Sequence, residues 1–211
     1  FVEQVLKNNI TTIFPMCIAL ITGYIISREG TDDTLKNILT VPLSFPALLA
    51  GKLAVCGLLS LFLGIVSTVF TVTASFLLGF PGGDFPAVIQ AGLQITANCL
   101  FLYIAVLPII AIAARIPNGH LIGAVVAFVY GYGGMFAAGN MTLANVYPVT
   151  ASMGLIGYRS YDAAVHWNPL LCMFSLLAAL LIAAAFVATA KKGAAPKTAK
   201  KPKRVITKKG W

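Results

Sequence analysis

Long uncharged apolar runs dominate this sequence and leave very few folds open to it. Five of them, from Ile10 to Ser27, Leu53 to Phe80, Val88 to Ala113, Leu121 to Ala138 and Leu170 to Ala190, approach the roughly 20 residues a helix needs to cross a hydrocarbon core about 30 Å thick. Barrel strands would alternate apolar and polar residues, which these runs do not. Backbone groups in lipid must also find partners within their own segment, so helices are expected. The chain is 59% hydrophobic and only 10% charged, with a mean hydropathy of +0.90, whereas a soluble domain carries about 25% charged residues; an ordinary water-soluble enzyme is excluded. The expected fold class is all-α: a polytopic transmembrane helical bundle of about five spans.

The net charge of +9 belongs to one segment. Nine of the 15 Lys and Arg residues follow residue 190 and no acid does; the remaining body has six bases and six acids, so no basic groove for nucleic acid is implied. The chain thus divides into a transmembrane domain, 1–190, and a Lys-rich, Pro-broken tail, 191–211, expected to be disordered and to lie on anionic lipid. With the tail inside, Arg28, Lys36, Lys52 and Arg115 join its nine bases on the cytoplasmic side. Only Lys7 and Arg159 remain outside, so the positive-inside rule predicts a cytoplasmic tail and an external Phe1 in a cell membrane. An external start without a signal peptide suggests that an upstream span is missing. Residues 28–52 then form a cytoplasmic loop, Pro81 to Pro86 an external turn, Arg115 to His120 a cytoplasmic turn and 139–169 an external loop. In that last segment Tyr147, Tyr158, Tyr161 and Trp167 suit the headgroup level.

Residues for catalysis are scarce. No acid lies deep in a span, and His120 and His166 fall in loops on opposite sides, where they cannot share a metal. Asp162 and His166, four apart, read as external hydrogen-bonding groups. Cys17, Cys56, Cys99 and Cys172 each sit in an apolar run with no CxxC pair and read as small buried residues. Gln90, Gln94 and Asn98 recur at four-residue steps, either as hydrogen-bonding glue between helices or as a polar stripe facing a substrate. Gly119, Gly123, Ala127 and Gly131 form a ridge of small residues suited to a helix interface, with Tyr132 to Gly134 as a flexible exit. Pro15 and Pro108 are expected to kink their helices, for gating or for packing.

The cytoplasmic loop is the most informative segment. Asp32 or Asp33 can cap a short helix that Pro42 ends, and Leu35, Ile38, Leu39 and Pro42 follow one apolar face opposite Asp32, Lys36, Asn37 and Thr40. Such a helix rests on lipid or docks a cytoplasmic partner, and the pattern alone serves both. Ser44 with Phe45 and Pro46 reads as the cap and first turn of the next helix. Glu29-Gly30-Thr31, then Asp33 to Thr40 with Pro42 and Ser44, then Leu48-Leu49 and Gly51-Lys52 resemble the loop after the second span of type-2 ABC exporter permeases. The nearest likeness is to the subgroup serving bacitracin and lantibiotic resistance in bacteria. Phe45 stands where many members carry a base, and the first of their usual six spans is missing.

That resemblance implies that Glu29, Thr31, Leu35, Lys36, Leu39 and Pro42 seat on a separate ATPase subunit. It further implies a second permease copy or a similar permease, and an amphipathic peptide antibiotic as cargo. Gly51-Lys52 is no P-loop, because Pro46 occupies the first glycine position and Leu53 that of the Ser or Thr. ATP and magnesium are accordingly expected on the partner, and this chain is expected to be no enzyme and to hold no cofactor or metal. An ion-coupled secondary transporter and a non-transporting scaffold or sensor are the alternatives.

Overall fold

The computed structural model describes residues 2–8, 13–31, 44–79, 85–116, 119–159 and 161–190. Among them the chain forms eight helices and no strand: α1 (Val2–Asn8), α2 (Phe14–Thr31), α3 (Phe45–Leu77), α4 (Phe85–Ala113), α5 (Gly119–Ala137), α6 (Met141–Val146), α7 (Pro148–Leu155) and α8 (Pro169–Ala188). The tail, 191–211, lies outside the described residues.

Four helices, α3, α4, α5 and α8, are long and apolar enough to cross a membrane. At about 1.5 Å per residue, the 33-residue α3 and the 29-residue α4 rise about 50 and 44 Å. Both exceed a core of about 30 Å and must tilt or project beyond it. The five predicted spans resolve into these four and α2, whose apolar part, Phe14–Arg28, is shorter.

Helix α4 is the axis of the bundle. It packs against α2, α3, α5, α7 and α8, and 56% of its most apolar window is buried, against 28–33% for the other three. Ile95, Leu102, Val106 and Ile110 form the centre of the core. Where α3 crosses α4, a Cβ on Gly64 would stand 2.9 Å from the Thr96 Cα, and one on Gly92 2.9 Å from the Thr68 methyl. Thr68 Oγ1 lies 3.2 Å from both the Gly92 carbonyl and Thr96 Oγ1. Cys56, Ser60, Gly64 and Thr68 of α3 recur at four-residue steps, a second small-residue row, of which Gly64 and Thr68 meet α4 at this crossing.

Several expectations are corrected. The loop expected over 28–52 ends sooner, because α3 begins at Phe45 with the expected Ser44 cap: Ser44 Oγ accepts the Ala47 N–H at 3.4 Å and a proline occupies the first turn, so Gly51 and Lys52 are helical. Pro15 is the second residue of α2, and the residues to which an N–H there would bond lie outside the described ones. Pro108 sits in the interior of α4, where it removes one helical hydrogen bond. Tyr132 to Gly134 are no flexible exit: α5 continues to Ala137, and Gly134 is buried against Val149 and Thr150. His120 belongs to the first turn of α5 rather than a loop, and Cys17 is exposed, unlike the other three cysteines.

The largest difference is in 139–169, expected to be a loop. Asn140 Oδ1 caps α6 by accepting the Thr142 N–H at 2.9 Å, Tyr147-Pro148 turns the chain, and α7 follows. Thr150 Oγ1 donates to the Ala144 carbonyl at 2.7 Å and fastens the two short helices to each other. Val149, Thr150, Ala151 and Ser152 are at most 1% exposed, so α7 is driven into one end of the bundle against α4 and α8.

Candidate functional site

The loop between α2 and α3 carried most of the sequence-predicted site. Leu35, Lys36, Leu39 and Pro42 lie outside the described residues, as does the predicted amphipathic helix. Glu29 and Thr31 are in the last turn of α2. The two helices that bracket this loop are described, and they are fastened at its base.

Lys52, two turns into α3, donates from Nζ to the Ile25 carbonyl at 3.2 Å and lies 3.5 Å from that of Ile26. The ammonium makes a charge-assisted bond to a carbonyl of the last turns of α2. On the other flank, Ser27 Oγ and His120 Nδ1 of α5 are 3.3 Å apart. Tyr24 meets the same imidazole edge-on, ring centroids 6.1 Å apart. Gly23 makes this approach possible, since a Cβ there would come within 2.9 Å of His120 Cβ. The last turns of α2 are thus tied to α3 through Lys52 and to α5 through His120.

In the sequence Lys52 shows a motif but no partner and His120 a turn, so neither contact is visible there. The available signal was physical. A lysine flanked by Leu48, Leu49, Leu53 and Val55 on a helix must find carbonyls or snorkel.

The small ridge of α5 lies inward: Gly119, Gly123, Ala127 and Gly131 are all buried. A Cβ on Gly119 would overlap the Ala113 carbonyl oxygen, and one on Gly123 would stand 2.7 Å from Ala113 Cβ. Glycine at these positions lets α5 fold back against the end of α4. In the same turn the Arg115 guanidinium bonds the Phe186 carbonyl and, at 2.7 Å, Thr189 Oγ1, and lies 5.2 Å over the Phe186 ring. The C-terminal end of α8 is thereby joined to the α4–α5 turn. Arg28, Lys52 and Arg115 all fall at this end of the bundle, whereas Lys7 and Arg159 line one cavity at the other.

The three amides of α4 separate. Gln94 Nε2 donates to the Ile156 carbonyl at 2.9 Å. Asn98, fully buried, accepts from Ser152 Oγ at 3.2 Å, and its Nδ2 has no partner among the described residues. Gln90 is exposed. The first two therefore fasten α7 and the turn after it to α4. Neighbouring bonds complete the attachment: Asn145 Oδ1 accepts the Asn168 N–H at 2.9 Å, Tyr147 donates to the Tyr130 carbonyl at 2.6 Å, and Ser175 Oγ donates to the Val146 carbonyl at 2.6 Å. Burial holds the Tyr147 phenol up at about 12. Asp162 and His166 both lie in coil rather than on a helix. Asp162 Oδ1 accepts the Ala164 N–H, and the His166 carbonyl accepts from Asn145. The described residues contain no group of three or more His, Cys, Asp or Glu placed to hold a metal.

An all-helical bundle with several membrane-crossing helices, a fastened joint at one end and polar side chains spent on helix contacts is the form of a polytopic membrane permease. The family model for the ABC-2 family transporter protein matches residues 1–134, well over half the chain, and the chain belongs to that family. No curated protein matches it, and no solved structure does. Membership makes this chain a transport subunit that works with an ABC ATPase subunit.

Proposed function

We propose that this chain exports an amphipathic peptide antibiotic or a similar amphiphile, powered by ATP bound with magnesium and hydrolysed on the partner subunit. The observation that carries the reading is the double fastening of α2 beside the loop. A segment seated on a motor can only drive the membrane helices if its base is held, and Lys52 and His120 hold it to α3 and α5. In this reading Glu29, Thr31, Leu35, Lys36, Leu39 and Pro42 contact the ATPase. Nucleotide-driven closure of the ATPase tilts α2 with its two neighbours between two packings. A second permease, identical or similar, completes the pathway. The end bearing Arg28, Lys52 and Arg115 faces the cytoplasm of a bacterial cell together with the tail, as the positive-inside rule requires. The resemblance of 28–52 to the bacitracin and lantibiotic subgroup supports the cargo.

The test is ATP-dependent uptake of a cationic amphipathic peptide into inverted vesicles holding this chain and its ATPase. Replacing Leu35, Leu39 and Pro42 together by polar residues should abolish uptake and the copurification of the two subunits. Uptake that persists in this variant overturns the coupling role. Uptake of neither the peptide nor a similar amphiphile by the parent assembly overturns the cargo.

A further inference from the structure

Pro108 is the one proline in the interior of α4, and without its N–H the Ile104 carbonyl loses its helical donor. Different helices are tied to α4 on either side of it. Toward the centre of the bundle, Tyr103 donates to the Leu53 carbonyl of α3 at 2.6 Å. Toward the joint, Ala113 seats the glycines that start α5, and Arg115 bonds Thr189 at the end of α8 at 2.7 Å. A bend at 104–108 therefore swings α5 and the end of α8 relative to α3. In a close-packed interior such a bend meets side chains at once, but here there is space beside two faces of the segment. Ile104 and Leu107 line a groove of about 590 Å³ between α3 and α8, and Ala105 and Pro108 a cavity of about 460 Å³ between α5 and α8. Helix α8 packs chiefly on α4 and α7 and so closes neither space. Ala47, Ala50 and Ala54 form the α3 wall of the groove, and Ala184 and Ala188 the α8 wall; small residues let two helix backbones approach closely.

We propose that α4 is hinged at Pro108 and that the permease has a second packing, adopted when the partner subunit holds ATP, in which the end of α8 closes the groove against α3. The hinge rests on the reading that the ATPase drives these helices and is independent of the cargo. A change in bend of about 20°, the size of a sharp proline kink, acting over the roughly 10 Å from Pro108 to Arg115, moves the end of α8 by about 3–4 Å.

The test is a distance across the groove, measured by electron–electron double resonance on the assembly of permease and ATPase in nanodiscs. Spin labels go on Val55→Cys of α3 and Ala185→Cys of α8, both exposed positions, in a Cys17→Ser background that leaves only buried native thiols. ATP trapped on a hydrolysis-deficient ATPase should shorten the distance by about 3–4 Å. Pro108→Ala restores the N–H donor and should remove at least half of that change, with nucleotide still bound and the melting temperature kept. Ala54→Leu/Ala184→Leu narrows the groove without touching the proline and should hold the distance at its long value. An unchanged distance in the parent with nucleotide bound overturns the hinge, as does the full change in Pro108→Ala or in Ala54→Leu/Ala184→Leu. A change that survives polar replacement of Leu35, Leu39 and Pro42 overturns the coupling role instead and leaves the hinge standing.

Discussion

Replacing Lys52 with methionine keeps much of the side chain's length and apolar stem but removes the ammonium that bonds Ile25 at 3.2 Å, with Ile26 at 3.5 Å as a marginal second acceptor. A hydrogen bond to a charged group contributes about 1.5–3 kcal/mol in soluble proteins, while bonds between membrane helices average about 0.6 and reach about 1.7 kcal/mol. For the Ile25 bond by itself a loss of about 1.5 kcal/mol is expected, close to a factor of ten in the local opening equilibrium. The carbonyls of Ile25 and Ile26 are also the helical acceptors for the amides of Glu29 and Gly30. Hydrogen exchange at those two amides should therefore accelerate about tenfold in Lys52→Met, while the centre of α4 stays protected. Lys52→Arg keeps the charge and should remain within about threefold of the parent. If the joint transmits force, stimulation of the ATPase by this permease should fall with Lys52→Met and not with Lys52→Arg. Unchanged exchange at Glu29 and Gly30 in a folded Lys52→Met protein would refute the fastening. Faster exchange with full ATPase stimulation would refute its role in transmission.

Two further outcomes follow from packing and ionisation. Gly64→Leu forces a side chain against the Thr96 backbone and Cys99 and should cost about 1–3 kcal/mol in a denaturant titration of the purified protein, whereas Gly51→Leu, where a Cβ meets nothing within 4 Å, should cost almost nothing. Tyr147 has its phenol raised from 10.0 to about 12 by burial. Its contribution is therefore complete below pH 10 and is lost as pH rises through 12, because the unfolded chain ionises first. The stability difference between the parent and Tyr147→Phe, followed by circular dichroism, should shrink across that interval; a difference that grows there would reverse the sign of the reasoning.

The helical class and the positions of α3, α4, α5 and α8 were legible because lipid solvates a long apolar helix on every side, and length plus hydropathy then suffices. Ser44 was legible as a cap because capping is local. The ridge from Gly119 to Gly131 could be read as small and aligned, but only the fold shows that Gly119 and Gly123 meet the end of α4. Residues 139–169 resisted reading for a different reason. Helices of six and eight residues are too short to display a 3.6-residue period, and they exist here through bonds made by Asn140, Asn145 and Thr150 to groups that hydropathy does not weigh. Lys52 and His120 were visible as residues and invisible as a joint, since each finds its partner on another helix, 26 or more positions away.

The amides of α4 left two readings open, glue or substrate stripe, and Asn98 can now separate them. Ser152 shares its one hydroxyl proton between the Val149 carbonyl at 2.6 Å and Asn98 Oδ1 at 3.2 Å. Ser152→Ala removes that donor and leaves the buried amide unsatisfied at both ends, at a cost of about 1–3 kcal/mol. Asn98→Leu removes the amide itself, including an Nδ2 that already has no partner among the described residues, and should fall within about 1 kcal/mol of the parent. In the Leu background, Ser152→Ala loses only a bond within α7 and should cost about 0.5 kcal/mol, so the double-mutant cycle predicts a coupling of at least about 0.5 kcal/mol. An additive cycle would mean that the pair does not hold α7 to α4. Transport then decides the rest: a stable Asn98→Leu permease with normal efflux assigns the residue to helix attachment, and one that is stable but selectively impaired for cargo places the buried amide on the pathway, where its present 0% exposure would have to change during the cycle.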